Sequence, residues 1–158
     1  MTIRDATTAD VPGIGLIWNA AIRDTTITFN PVEKTRAEIM GTIQSTDPFF
    51  VWAEAEQIIG FCTYFPFRSG AGYLHTVEHS ILLHADAQGR GIGRKLLTHV
   101  FDHARAAEKH SLMAVVSKEN DAGLAFHEAM GFVRRATLPE VGFKFGRWLD
   151  AVFMQKRL

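Results

Sequence analysis

The segment that most constrains this chain is Gln88-Gly89-Arg90-Gly91-Ile92-Gly93. An extended run, Thr76 to Leu83, precedes it. A helical stripe of Ile92, Leu96, Leu97, Val100, Phe101 and Ala104 follows it. Alternate glycines at a strand-to-helix turn remove side chains where backbone must close on itself or on a ligand. Amides at the helix start point outward together, and the helix dipole adds partial positive charge, so the turn suits a pyrophosphate-like anion. Arg90, Arg94 and Lys95 add local charge. A dinucleotide-binding G-x-G-x-x-G would need glycine at 94, where Arg94 stands, and no Gly-Lys-Ser/Thr of a Walker loop is present.

The rest of the chain reads as alternating elements. Ile3 to Ala6 is a short strand. Thr8 caps a helix with the stripe Val11, Ile14, Ile17, Trp18, Ala21 and Ile22. A second helix spans about Lys34 to Ile43. Phe49 to Ala55 and Ile58 to Phe65 form a hairpin, and Tyr73 to Leu83 is a long strand. After the glycine turn and its helix come a strand at Leu112 to Val116 and a helix at Ala122 to Met130. Strands at Phe132 to Leu138 and Trp148 to Gln155 end the chain, with Gly142 to Gly146 in their turn. This order predicts a mixed α/β sheet of six to seven strands with helices on both faces, in a single domain over 1–158.

Seventeen basic residues balance seventeen acidic ones, so no field of one sign exists to attract nucleic acid or a membrane surface. Cys62 is the one cysteine, which excludes an intrachain disulfide, and its neighbours Phe61 and Tyr64 predict a buried strand thiol. His99 and His103 have a metal-compatible spacing but no third ligand nearby, so no metal is expected. The N-terminus has no signal-peptide pattern and no apolar run is long enough to span a bilayer, which makes the cytoplasm the expected location.

Glu78 stands out in an otherwise apolar strand. Alternation places Thr76, Glu78 and Ser80 on one face, and His75, Val77 and His79 on the other. A carboxylate on a central strand is either solvated at an opening or kept there for a proton.

The Q-x-x-G-x-G loop resembles the acetyl-CoA pyrophosphate loop of the GCN5-related N-acetyltransferases (GNAT). Asn120 to Phe132 is similar to that family's N-x-x-A … G-F segment. Ile17-Trp18-Asn19-Ala20-Ala21-Ile22, Phe29-Asn30, Thr76-Val77-Glu78-His79-Ser80 and Lys144 to Asp150 resemble the phosphinothricin and methionine sulfoximine/sulfone N-acetyltransferases. The chain has Phe145 and Leu149, as the sulfoximine type does, where the phosphinothricin type carries histidines. It has Leu74 where the sulfoximine type tends to have arginine.

The resemblance implies the family's fold, acetyl-CoA as cosubstrate, a small amine as acceptor and a homodimer. It implies that Ile81, Leu82 and Leu83 bind the pantetheine arm through main chain, and that Gln88, Gly89, Arg90, Gly91, Ile92, Gly93 and Arg94 hold the pyrophosphate. Asn120 would cap its helix and bind pantetheine. Glu78 would be the general base, because an ammonium cannot attack a thioester until a proton leaves. His127 would be either the acid for the leaving thiolate or a helix histidine with no proton role. Phe29 would wall the substrate pocket, and Arg68 would meet a substrate carboxylate. Acetylation of a peptide or protein amine and a non-enzymatic acyl-CoA sensor stay open at this point.

Overall fold

The computed structural model describes residues 2–158. Strands β1 (Thr2–Asp5), β2 (Phe49–Glu54), β3 (Gln57–Pro66), β4 (Thr76–Leu83), β5 (Ser111–Ser117), β6 (Val133–Lys144) and β7 (Arg147–Arg157) form one sheet in the order β1-β2-β3-β4-β5-β7-β6. Every neighbouring pair is antiparallel except β4 and β5. Helices α1 (Val11–Asp24) and α2 (Arg36–Ile43) join β1 to β2, α3 (Ile92–Ala106) joins β4 to β5, and α4 (Asp121–Ala129) joins β5 to β6.

Strand alternation builds two cores. Phe49, Val51, Ala53 and Phe61 point towards α1 and α2, where Ile14, Ile17 and Ile39 meet them. Phe50, Trp52, Cys62 and Val77 point the other way, towards Leu96, Leu97 and Val100 of α3 and Leu124 of α4. Helices therefore cover both faces, as the element order predicts. Cys62 is fully buried, and burial pushes its thiol well above the usual range, so it packs as a small apolar side chain.

Three boundaries differ from the sequence reading. Asp10, not Thr8, sits at the start of α1; it accepts from Arg4 Nη1 and Nη2 at 2.7 and 2.8 Å and from Thr7 N at 2.8 Å. Residues Ala71–Tyr73 form a 3-10 turn, so β4 begins at Thr76. Strand β6 runs on to Lys144 past a register irregularity between Leu138 and Gly142. The expected five-residue turn shrinks to Phe145-Gly146, both with positive φ (52° and 74°), the geometry of a tight two-residue hairpin.

Candidate active site

Strands β4 and β5 pair only at Thr76↔Ser111, Val77↔Leu112 and Glu78↔Met113, although β4 continues to Leu83 and β5 to Ser117. Beyond Glu78 the two strands part. Ser80 to Leu83 keep their antiparallel register with β3 on the other side. The β5-facing edge of β4 is therefore a row of backbone donors and acceptors left without a strand partner. A cavity of about 290 Å³ occupies the opening. Glu78 to Leu82 line one side and Ala114 to Ser117 the other; Trp18, Ile27, Thr28, Phe29 and Phe65 wall it, and Asn120 and His127 approach from α4.

The glycine turn sits beside this slot and its three glycines are needed for different reasons. Gly89 and Gly91 have φ of 70° and 72°, which a side chain would strain. Gly91 is the N-cap of α3 and brings no side-chain acceptor, so the first-turn amides stay free for an anion. Gly93 is needed for packing: a Cβ there would lie 3.1 Å from Leu83 and 3.4 Å from Phe126, which ties α3 to β4 and α4. Gln88 and Arg94 are exposed at the turn and Ile92 is buried. The Arg90 side chain points elsewhere: its guanidinium donates to Glu54 Oε1 at 2.6 Å. This pairing spans 36 positions in the chain and is invisible in the local motif.

Glu78 projects to the α1 side of the sheet, opposite Val77 and His79, as alternation predicts. Its carboxylate is half-buried, and desolvation alone raises its pKa above the ordinary glutamate value. Such a group accepts a proton more readily than a solvated carboxylate does.

On the other side of the sheet His79 and His127 form a pair that the motif reading did not anticipate. Their Nε2 atoms are 3.1 Å apart, and His127 Nδ1 lies 2.7 Å from the Gly123 carbonyl oxygen. A carbonyl only accepts, so His127 Nδ1 carries the hydrogen, and the neutral ring leaves its Nε2 bare. His79 must then donate through Nε2, leaving its Nδ1 to face the Cys62 thiol at 4.0 Å. Burial holds both imidazoles below the ordinary histidine pKa. Both nitrogens of His127 are thereby engaged inside the protein. The alternation of β4 could have flagged a buried His79; its partner, 48 residues on, could not have been read locally.

Asn120 caps α4, its Oδ1 accepting from Gly123 N at 2.9 Å, and its Nδ2 has no protein acceptor among the described residues. Phe29 lines the cavity, with its ring over Gly142. Arg68 is not brought to Glu78. It is exposed, its guanidinium 5.7 Å from the Tyr73 ring centroid, in a neighbouring groove that shares Phe65 with the cavity. His99 and His103 turn edge-on to Phe50, and His103 Nδ1 meets Tyr64 Oη at 2.8 Å, so both are spent in packing.

The parted parallel strands and the glycine-rich helix start leave backbone groups and first-turn amides free at one opening, as the resemblance to the N-acetyltransferases implies. The profile of the acetyltransferase (GNAT) family matches residues 17–132. This chain belongs to that family. It is 40% identical to the L-amino acid N-acyltransferase MnaT of Escherichia coli (strain K12), over 100% of this chain and 94% of that protein. It is 37% identical to the L-methionine sulfoximine/L-methionine sulfone acetyltransferase of Salmonella typhimurium, over 100% of this chain and 95% of that protein. A solved GNAT phosphinothricin acetyltransferase from Sinorhizobium meliloti, in complex with acetyl-CoA, superposes with a TM-score of 0.93 at 31% identity. That match covers 99% of this chain and 88% of the other. The fold and the N-acetyltransferase class of this GNAT chain are thereby shown. No helix of the described residues is long and apolar enough to cross a membrane.

Proposed function

We propose that this acetyltransferase moves an acetyl group from acetyl-CoA to the amino group of a small amino acid analogue of the methionine sulfoximine, methionine sulfone or phosphinothricin type. The observation that carries the reading is the half-buried Glu78, without a partner among the described residues, in the β4–β5 opening whose lining includes Trp18, Phe29 and Phe65. A cavity of about 290 Å³ suits a small molecule more than a peptide segment.

In this reading the pyrophosphate rests on the turn Gly89 to Arg94, through its amides other than that of Arg90, which donates to the Ala87 carbonyl at 3.3 Å. The pantetheine arm lies along the freed edge of β4 at Ile81 to Leu83, with Asn120 Nδ2 donating to it. Acetyl-CoA supplies the activated thioester. Glu78 takes a proton from the bound ammonium, directly or through water, and the free amine attacks in a ternary complex. A β4 amide at the opening offers the oxyanion donor. His127, with both nitrogens engaged, holds α4 against β4 while the thiolate leaves unassisted. Arg68 lies in the neighbouring groove that shares Phe65 with the cavity, so a contact with the substrate carboxylate would need its exposed side chain to swing across. Val141, Phe143, Phe145 and Trp148, each more than half exposed on the β6–β7 edge, form an apolar strip suited to a second copy of the chain. A role in clearing such analogues follows from the substrate class.

Thiol release from acetyl-CoA should be measured with methionine sulfoximine, methionine sulfone, phosphinothricin, ordinary amino acids, polyamines and short peptides. Turnover of the amino acid analogues without the peptides is the expected result. Turnover of peptides alone would replace this reading with a protein-modifying one, and tight acetyl-CoA binding with no turnover would point to a sensor.

A further inference from the structure

Lys144, at the end of β6, is 2% exposed. Its ammonium donates to the Thr25 carbonyl at 2.6 Å and to the Thr28 carbonyl at 2.8 Å, and lies 5.0 Å from the Phe145 ring centroid. Burial lowers its pKa with no carboxylate to offset the effect. An ammonium taken out of water needs such a polar shell, and here the shell is the α1–α2 loop itself.

That loop is otherwise held largely by its own side chains. Thr25 Oγ1 donates to the Ala21 carbonyl, and the amides of Ile27 and Asn30 donate to Thr25 and Thr28 Oγ1. Thr26 Oγ1 also donates to Glu119 at 3.0 Å, and Glu119 is itself clamped by Arg147, while Asn19 holds the far end of the loop through the Lys34 amide and carbonyl. The loop packs tightly on the hairpin: a Cβ added at Gly142 would come within 2.3 Å of the Phe29 ring. Ile27, Thr28 and Phe29 are the loop residues that line the cavity.

We propose that Lys144 is a positioning residue for amine recognition. Its ammonium fixes Thr25 to Phe29 as a rigid wall of the amine pocket, so it sets the affinity for the amine and not for acetyl-CoA. The proposal rests on the acetyltransferase reading above and assigns the substrate wall within it. Lys144 is too deeply buried to touch substrate. It acts through the loop, joined to it across 116 and 119 positions of sequence.

The test is Lys144→Met beside Lys144→Arg, with amine and acetyl-CoA varied in turn. The Met variant removes a buried charge without leaving a large void but leaves the Thr25 and Thr28 carbonyls without their donor, so circular dichroism is used to check that it folds. Loosening the wall costs contact with the amine, and a loss of about 1.4 kcal/mol of binding raises KM for the amine about tenfold. KM for acetyl-CoA should stay within about twofold, and the Arg variant, which keeps N–H donors, should recover part of the loss. Hydrogen exchange of the free protein gives a readout without turnover: amides in 25–30 should lose protection in the Met variant while those of α3 do not. A parallel rise in both KM values, or unchanged exchange at 25–30, overturns the proposal. A wild-type protein silent towards every amine counts against the functional reading, and the exchange result then decides the Lys144 tie alone.

Discussion

Replacing Glu78 with glutamine separates proton removal from everything else at this site. The carboxylate makes no hydrogen bond or ion pair among the described residues, and burial is the only cause of its raised pKa. Glutamine has the same shape, so the substitution breaks no protein contact. A positioned general base is worth about 10²–10⁴ in rate. At about 1.4 kcal/mol per decade, that is roughly 3–5 kcal/mol of barrier. Thiol release at saturating acetyl-CoA, followed across pH, should show kcat/KM lower by that factor. The base works deprotonated, so the wild-type rate should climb with pH through a carboxylate titrating above its ordinary value. The variant should lack that limb and keep only the one set by the substrate ammonium. Stability should move the opposite way. A folded-state pKa raised above the unfolded value gives stability that is present at low pH and lost as pH rises through the folded value. Glu78→Gln should therefore raise Tm at pH 7 and leave it unchanged near about pH 4, below the ordinary glutamate value. A variant within about threefold of wild type at every pH, against the 10²–10⁴ expected of a base, refutes the role. So does a variant that is slow but keeps the carboxylate limb.

Gly91→Ala puts a side chain on a residue with φ of 72° at a cost of about 1–2 kcal/mol, with no steric neighbour within 4 Å. The free turn can relax out of that conformation and must regain it on binding, so calorimetry should show acetyl-CoA binding weakened by about tenfold, with the core intact by circular dichroism. His127→Leu leaves the buried Nε2–H of His79 without an acceptor, so urea denaturation should show a loss of about 1–3 kcal/mol. Its kcat should stay within about tenfold of wild type, since loss of an acid catalyst costs about 10²–10⁴. Trp148→Glu places a charge in the exposed apolar strip, and sedimentation should shift from dimer to monomer; a wild-type protein already monomeric at micromolar concentration removes the dimer reading.

What the sequence determined by itself is what neighbouring residues determine. Alternate glycines at 89, 91 and 93 mark a turn where backbone closes before a helix, because the constraint is local sterics; the positive φ at 89 and 91 is what the structure adds. Glu78 and His79 on opposite faces follow from strand alternation, and the burial of Cys62 follows from its apolar strand. The order of elements was legible for the same reason, and it carried the mixed sheet with helices on both faces. The edge strand β6 was harder to read. Val133 to Val141 are all exposed and the strand is interrupted by register irregularities, so little hydrophobic alternation marks it.

Only the tertiary structure decided which side chains meet. It turned Arg90 to Glu54, set Arg68 in a neighbouring groove, joined His79 to His127 and ran Lys144 into the carbonyls of Thr25 and Thr28. These meetings follow from the strand order β1-β2-β3-β4-β5-β7-β6 and the helices packed on it, which bring segments distant in the chain side by side. Backbone preference and periodicity act over a few residues, whereas the partner of a buried charge or imidazole is set by whatever the packed sheet places beside it.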